Sequence, residues 1–251
     1  HNEAETTDPL AAFEQSLVDF DQLANAIVKG GTVGDSLHIV ATDNDQLAAE
    51  IIESDKVHNE QFQPAARAMI KASNQLLALD KQKRQHYVSL ANSYDQVMTE
   101  ADNAETAIQQ NTAIQGNTLQ FSALVDATME IKVFIQDSYI VLNNIISLKH
   151  AAELPPLLDD YQQTIKGFDQ IINALLLGGE IDGTIIEKLT NQNLVNGVKH
   201  LDEVHAEFQT RASEIIALQK RLLAQTQLVE QSMINLDESG DLAAKILDNI
   251  E

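Results

Sequence analysis

The sequence predicts an all-α protein of long antiparallel helices, forming two stacked four-helix bundles built from an internal duplication. Three observations predict this. Tryptophan is absent, aromatics make up 4%, and the 251 residues hold only four prolines and ten glycines. That balance suits long helices poor in sheet formers. Apolar residues then recur at helical spacing along most of the chain. Finally, residues 4–31 reappear ungapped at 152–179, with 11 of 28 positions identical: Ala4, Glu5, Leu10, Gln15, Phe20, Asp21, Gln22, Asn25, Ala26, Gly30 and Gly31. The similarity resumes after a one-residue gap as Asp55, Val57, His58 and Glu60 against Asp202, Val204, His205 and Glu207. It continues as Ile70, Leu76, Leu77, Ala78 and Leu90 against Ile216, Leu222, Leu223, Ala224 and Leu236. A chain written twice from one unit has two equivalent halves.

The elements follow in order. Asp8-Pro9 starts the first helix, with an N-cap aspartate and proline at the first helical position. That helix runs to about Lys29 and lines one face with Phe13, Leu17, Phe20, Ala24 and Ile27. Gly30-Gly31 stops it, and a loop containing Gly34 follows. The run Thr42-Asp-Asn-Asp45 offers caps for a helix that lacks a terminator from about Asn44 to Gln110. Unbroken, it would measure about 100 Å at about 1.5 Å per residue. Pro64 should kink it or break it locally, and Leu79-Asp80 is a second candidate break. Gly116 interrupts the pattern. A helix over 118–150 follows, with Leu124, Ile131, Ile135, Leu142 and Ile145 inward. Pro155-Pro156 opens the second short helix, which ends at Gly178-Gly179. The last helix begins around Thr190.

The repeat unit is thus a short helix, a Gly-Gly loop and a very long helix. The expected organisation is one helical domain over 1–251, with units 4–110 and 152–251 joined by helix 118–150. Nothing before Asp8 corresponds to that joining helix. Apolar stripes on every member make a four-helix bundle, and helices longer than one bundle imply two bundles end to end.

Sixteen Lys/Arg against 38 Asp/Glu give a formal net charge of −22. A surface of that sign opposes nucleic-acid phosphates and anionic lipid and reads first as a well-solvated acidic surface. The absence of cysteine removes disulfides and thiolate metal sites. No apolar run reaches the roughly 20 residues of a membrane span. Helical spacing persists from Ile234 to Ile250 with no stop signal, as in a soluble domain excised within a helix. No P-loop, G-x-S-x-G, H-E-x-x-H or cysteine nucleophile occurs, so no enzyme is expected and no cofactor is assigned.

The length, the all-helical pattern, the duplicated units, the very long helices and the open helical C-terminus together resemble the helical bimodular (HBM) sensor domain of bacterial chemoreceptors and sensor kinases. The segment Met233–Leu242 is similar to a membrane-approaching receptor helix. The resemblance implies a periplasmic domain between two membrane helices and a homodimer. It also implies a small-molecule ligand, often an organic acid, with signalling by a small helix displacement. Family members that bind dicarboxylates use arginines on a first long helix. That helix has no counterpart here, and residues 1–28 contain no Lys or Arg, so those ligand residues are not carried over.

The chain's four arginines, Arg67, Arg84, Arg211 and Arg221, lie on the long repeat helices. A guanidinium fork is a natural carboxylate receptor. Surface ion pairs with the many Asp/Glu account for them more simply, as for the cluster Lys81, Lys83 and Arg84 and for Lys220-Arg221. Asp55-x-x-His58-x-Glu60 and Asp202-x-x-His205-x-Glu207 are the sharpest local signal. Asp and His at i, i+3 share a helix face and could reach one metal, with Asp21 and Asp169 on the preceding helices. The glutamates of di-iron bundles are missing, so a polar structural role comes first and no metal is assigned. Asn25 and Asn173, one turn before Gly-Gly, are expected to bond the frayed helix-end carbonyls rather than a ligand.

The expected function is therefore an extracytoplasmic ligand-sensing domain of a bacterial transmembrane chemoreceptor, with a ligand contacted by His58, Arg67, His205 and Arg211. The alternatives are a structural or interaction bundle (effector, toxin subunit or adaptor) and a metal-binding carboxylate/His bundle.

Overall fold

The structure, a computed structural model, describes residues 9–34, 36–111 and 118–248. The predicted Asp8 cap and the Gly116 interruption lie outside these residues. The elements are α1 (Pro9–Lys29), β1 (Gly31–Val33), β2 (Leu37–Ile39), α2 (Asp45–Val57), a π turn (His58–Phe62), α3 (Gln63–Gln109), α4 (Thr118–Ser147), a 3-10 turn (Ala151–Glu153), α5 (Leu154–Leu177), β3 (Gly179–Ile181), β4 (Thr184–Ile186) and α6 (Gln192–Asp248). The protein is an all-α helical bundle, as its composition and periodicity predict.

The two matched sequence segments carry the same element order: short helix, two-stranded antiparallel hairpin, long helix. The hairpins correct the expectation of plain loops. Ile181-Asp-Gly-Thr184 is a hairpin signal, and Asp182 (φ 45) and Gly183 (φ 80) supply the two positive φ angles of a type I′ turn. The one-residue gap between the segments falls here. Three residues separate Val33 from Leu37, and two separate Ile181 from Thr184.

The same backbone bonds close both helix ends. Gly30 N–H donates to Ala26 O and Gly178 N–H to Ala174 O, each at 2.9 Å. Past the hairpin, Thr42 N–H reaches Ile27 O and Leu189 N–H reaches Leu175 O, also at 2.9 Å. Last-turn carbonyls thus gain partners from the returning chain. Asn44 caps α2, its Oδ1 accepting from Gln46 and Leu47 N–H at 3.0 and 3.2 Å. Asn191 caps α6 in the same way, accepting from Asn193 N–H at 2.9 Å.

Leu79-Asp80 does not break the helix; α3 runs through it. The local break expected at Pro64 takes the form of a wider turn between α2 and α3. This π turn stands in front of the proline, with Gln63 N–H bonding His58 O five residues back. Proline offers no N–H, and its ring crowds the carbonyl four residues before it, which the wider turn accommodates. Helix α4 stops at Ser147, three residues short of expectation. At its end Gln219 Nε2 donates to Leu148 O at 2.8 Å and Lys83 Nζ to Ile146 O at 3.4 Å.

The chain divides into two compact units, residues 1–75 with 226–251, and residues 76–225. The second unit contains parts of four helices, and its core draws on all of them: Leu90, Val97 and Ile108 from α3; Leu124, Ile131, Ile135, Leu142 and Ile145 from α4; Phe168, Ile171 and Leu175 from α5; Leu201, Phe208 and Ile215 from α6. The five inward positions foreseen on α4 are all buried. The first unit has three helical stretches among the described residues, at 9–29, 45–75 and 226–248. Its buried apolar residues include Leu17, Ala24, Ile51, Val57 and Ala66.

Candidate functional site

Each unit contains one buried histidine at the matched position. In the second unit His205 is 1% exposed and stacks on Phe168 with ring centroids 3.5 Å apart. Gln209 Nε2 lies 3.1 Å from His205 Nδ1. His205 Nε2 is buried without a hydrogen-bond partner among the described residues. Burial lowers the His205 pKa to about 3, so the ring is neutral.

In the first unit His58 lies against Phe20 at 3.9 Å, the rings tilted by 35°, and stacks on Phe62 at 5.4 Å. Gln63 Nε2 lies 3.4 Å from His58 Nδ1. Phe208 faces His205 at 6.1 Å, so the Phe-His-Phe-Gln set is the same in both units, although the sequence spacing differs. His205 and Gln209 are four residues apart; His58 and Gln63 are five apart. One extra residue in the first unit is taken up by the π turn, which restores the meeting that an α-turn makes in the second. This is the tertiary reason for the π turn, beyond Pro64.

The surroundings differ in charge. Asp21 Oδ1 lies 3.5 Å from His58 Nδ1. Burial pushes the His58 pKa down while Asp21 and Asp55 pull it back, leaving it below the ordinary value. Asp21 Oδ1, Ser54 Oγ and Asp55 Oδ1 are buried without hydrogen-bond partners among the described residues. In the second unit burial raises Asp169, with the Asp202 charge adding to it, and burial likewise raises Asp202. Among the described residues, no group of three His, Asp or Glu side chains is placed to hold a metal ion.

Arg67, Arg84 and Arg211 are spent on ion pairs. Arg67 grips Glu14 with Nε and Nη2 at 3.2 and 3.0 Å, on the surface. Its Nη1 also reaches Gln63 Oε1 at 3.4 Å, so Gln63 bridges Arg67 to His58. Arg211 pairs with Glu214 at 3.3 Å, and Glu214 also meets His86 Nδ1 at 3.2 Å. Arg84 pairs with Asp80 at 2.7 Å. The structure thus joins His58 to Arg67, and leaves His205 and Arg211 to separate partners.

A groove lies elsewhere. In the second unit a groove of about 530 Å³ lies along α5, α4 and β3, lined by Glu130, Phe134, Gln170, Asn173, Leu177 and Glu180, among others. In the first unit a smaller groove of about 370 Å³ runs along α1, past Asp21, Gln22, Asn25, Lys29 and Thr32. Gln22, Asn25 and Thr32 match Gln170, Asn173 and Glu180 in the sequence repeat. The same part of each segment therefore forms a groove. Asn25 and Asn173 bond carbonyls within their helices, at Asp21 O (3.1 Å) and Asp169 O (2.8 Å), rather than the last-turn carbonyls expected of them. Sequence reasoning missed Phe134 and Gly167, which shape the larger groove across helices; no local pattern announces such a pair.

No protein-family model matches this chain, and no curated protein matches it. No helix among the described residues is long and apolar enough to cross a membrane.

Proposed function

We propose that this chain is the extracytoplasmic ligand-sensing domain of a bacterial transmembrane receptor, a chemoreceptor first, binding a small molecule and signalling by helix displacement. The observation that carries the reading is the groove of about 530 Å³ between α4, α5 and β3. Its size falls in the usual range for small-molecule sites, about 300–1,000 Å³. It is set in an all-helical bundle with no catalytic constellation identified in its sequence. A ligand held against both α4 and α5 favours one packing of the two helices over another. Differential affinity for two packings is all that such signalling needs.

A homodimer, a periplasmic location and flanking membrane helices belong to the same reading. They rest on the family resemblance. Thermal unfolding against a panel of amines, amino acids and organic acids tests the binding, since a ligand of the folded state raises the midpoint. A panel without any shift would sink the proposal. Apolar spans of about 20 residues on both sides of the segment in the full-length protein would support the receptor topology.

A second reading, an interaction bundle, draws support from α4. Met129, Val133 and Ile140 share one face at spacings of four and seven, and are 52%, 51% and 51% exposed. Such a stripe also suits the homodimer. Val133→Glu, followed by sedimentation, separates an associating surface from a bare one.

A further inference from the structure

The two grooves differ in one informative way. In the first unit Lys29 Nζ donates to Asn25 Oδ1 at 3.0 Å, so the groove along α1 contains an ammonium group of its own. In the second unit the residue matching Lys29 is Leu177, and the asparagine matching Asn25 is Asn173. Asn173 Nδ2 is committed to Asp169 O, and among the described residues no donor meets its Oδ1. Thr32, on the first groove, is replaced by Glu180 on the second.

The larger groove is therefore short of a cation and supplied with acceptors. Glu130, Glu180 and Asp182 line it, with no lysine or arginine among its lining residues. None of the three carboxylates makes an ion pair among the described residues. Phe134, Leu177 and Ile181 provide apolar walls. The ring of Phe134 is seated there because position 167 is glycine: a Cβ at Gly167 would lie 2.3 Å from Phe134 Cζ. An aromatic face beside carboxylates attracts an alkylammonium group, whereas the same lining repels an organic acid.

We propose that this groove binds a small primary amine, whose ammonium group takes at Asn173 Oδ1 the place that Lys29 Nζ holds at Asn25, while its carbon body lies against Phe134 and Leu177. The inference rests on the ligand-sensing reading and supplies its ligand class.

The test is titration of the full chain with 1,4-diaminobutane, 1-butanol and butyrate, followed by amide chemical shifts. The diamine should bind at least about tenfold more tightly than the alcohol or the acid, with shifts centred on 130–134 and 170–182. Leu177→Lys installs an internal ammonium at an exposed position and should weaken diamine binding about tenfold without removing any acceptor. Glu180→Gln should weaken it severalfold, and decides the matter if Leu177→Lys does not fold. Equal affinity for all three probes, shifts elsewhere, or diamine binding unchanged in folded Leu177→Lys would overturn the amine site. Butyrate binding alone would overturn it and leave the sensing reading intact. Binding of nothing, here and in the wider panel, would sink both.

Discussion

The imidazole of His205 lies 3.5 Å from the ring of Phe168, centroid to centroid, with its Nε2 buried and unpartnered among the described residues. The matched pair His58 and Phe20 repeats the contact in the first unit at 3.9 Å, with the rings tilted by 35°. A polar ring held so deeply has a cost that appears when it must take a proton.

The sign follows from linkage. His205 is held at about 3 when folded, below its ordinary value of 6.5. Between those values the unfolded chain binds the proton that the folded chain refuses, so stability falls as pH drops from 6.5 towards 3. The slope from this group approaches about 1.4 kcal/mol per pH unit. Asp169 and Asp202, raised by burial, act in the opposite sense. Chemical denaturation of His205→Phe and wild type at pH 7 and pH 5 isolates the histidine. The variant should lose less stability between the two, and parallel losses would refute the assignment.

Gly167→Ala should destabilise the second unit. The new methyl would meet three ring carbons of Phe134 between 2.3 and 2.8 Å, and overpacking costs about 1–3 kcal/mol. Urea unfolding measures it. Pairing the change with Phe134→Leu should recover part of the loss, because a smaller side chain then fills the space.

Deleting Gln61 should leave a folded protein. One residue fewer brings the spacing of His58 and its glutamine partner to the four residues seen for His205 and Gln209. The π turn would then revert to α-helix, and the melt should stay cooperative with helical circular dichroism unchanged. Deletion of one residue within α3, such as Ser93, has no wide turn to absorb it and should unfold the helix packing.

Arg67→Ala should leave the unfolding midpoint unmoved. The Arg67–Glu14 pair is half exposed on both sides, and exposed pairs contribute little. The same change should leave diamine binding intact, since Arg67 does not line the larger groove.

Much of the fold was legible in the chain itself. The helical runs, the Gly-Gly stops, the asparagine at 44 and the buried face of α4 depend on spacing within a few residues. The hairpin turn was legible too, in Asp182-Gly183, although the strands are only three residues long and easily read as loop. The site was less legible. Arg67 and Arg211 have the right chemistry for a carboxylate ligand, yet each finds an acidic neighbour in the fold, 53 residues away for Arg67 and three for Arg211.

By itself, then, the sequence determined most of the helices, several of their ends and the similarity of two segments, because those follow from residues adjacent in the chain. Only the tertiary structure decided which histidine is sealed against which phenylalanine, why one helix carries a π turn, and that Phe134 fits over Gly167 to shape a groove. Those outcomes rest on close contacts between helices whose residues stand dozens of positions apart, and burial, unlike periodicity, is a property of the partner as much as of the residue.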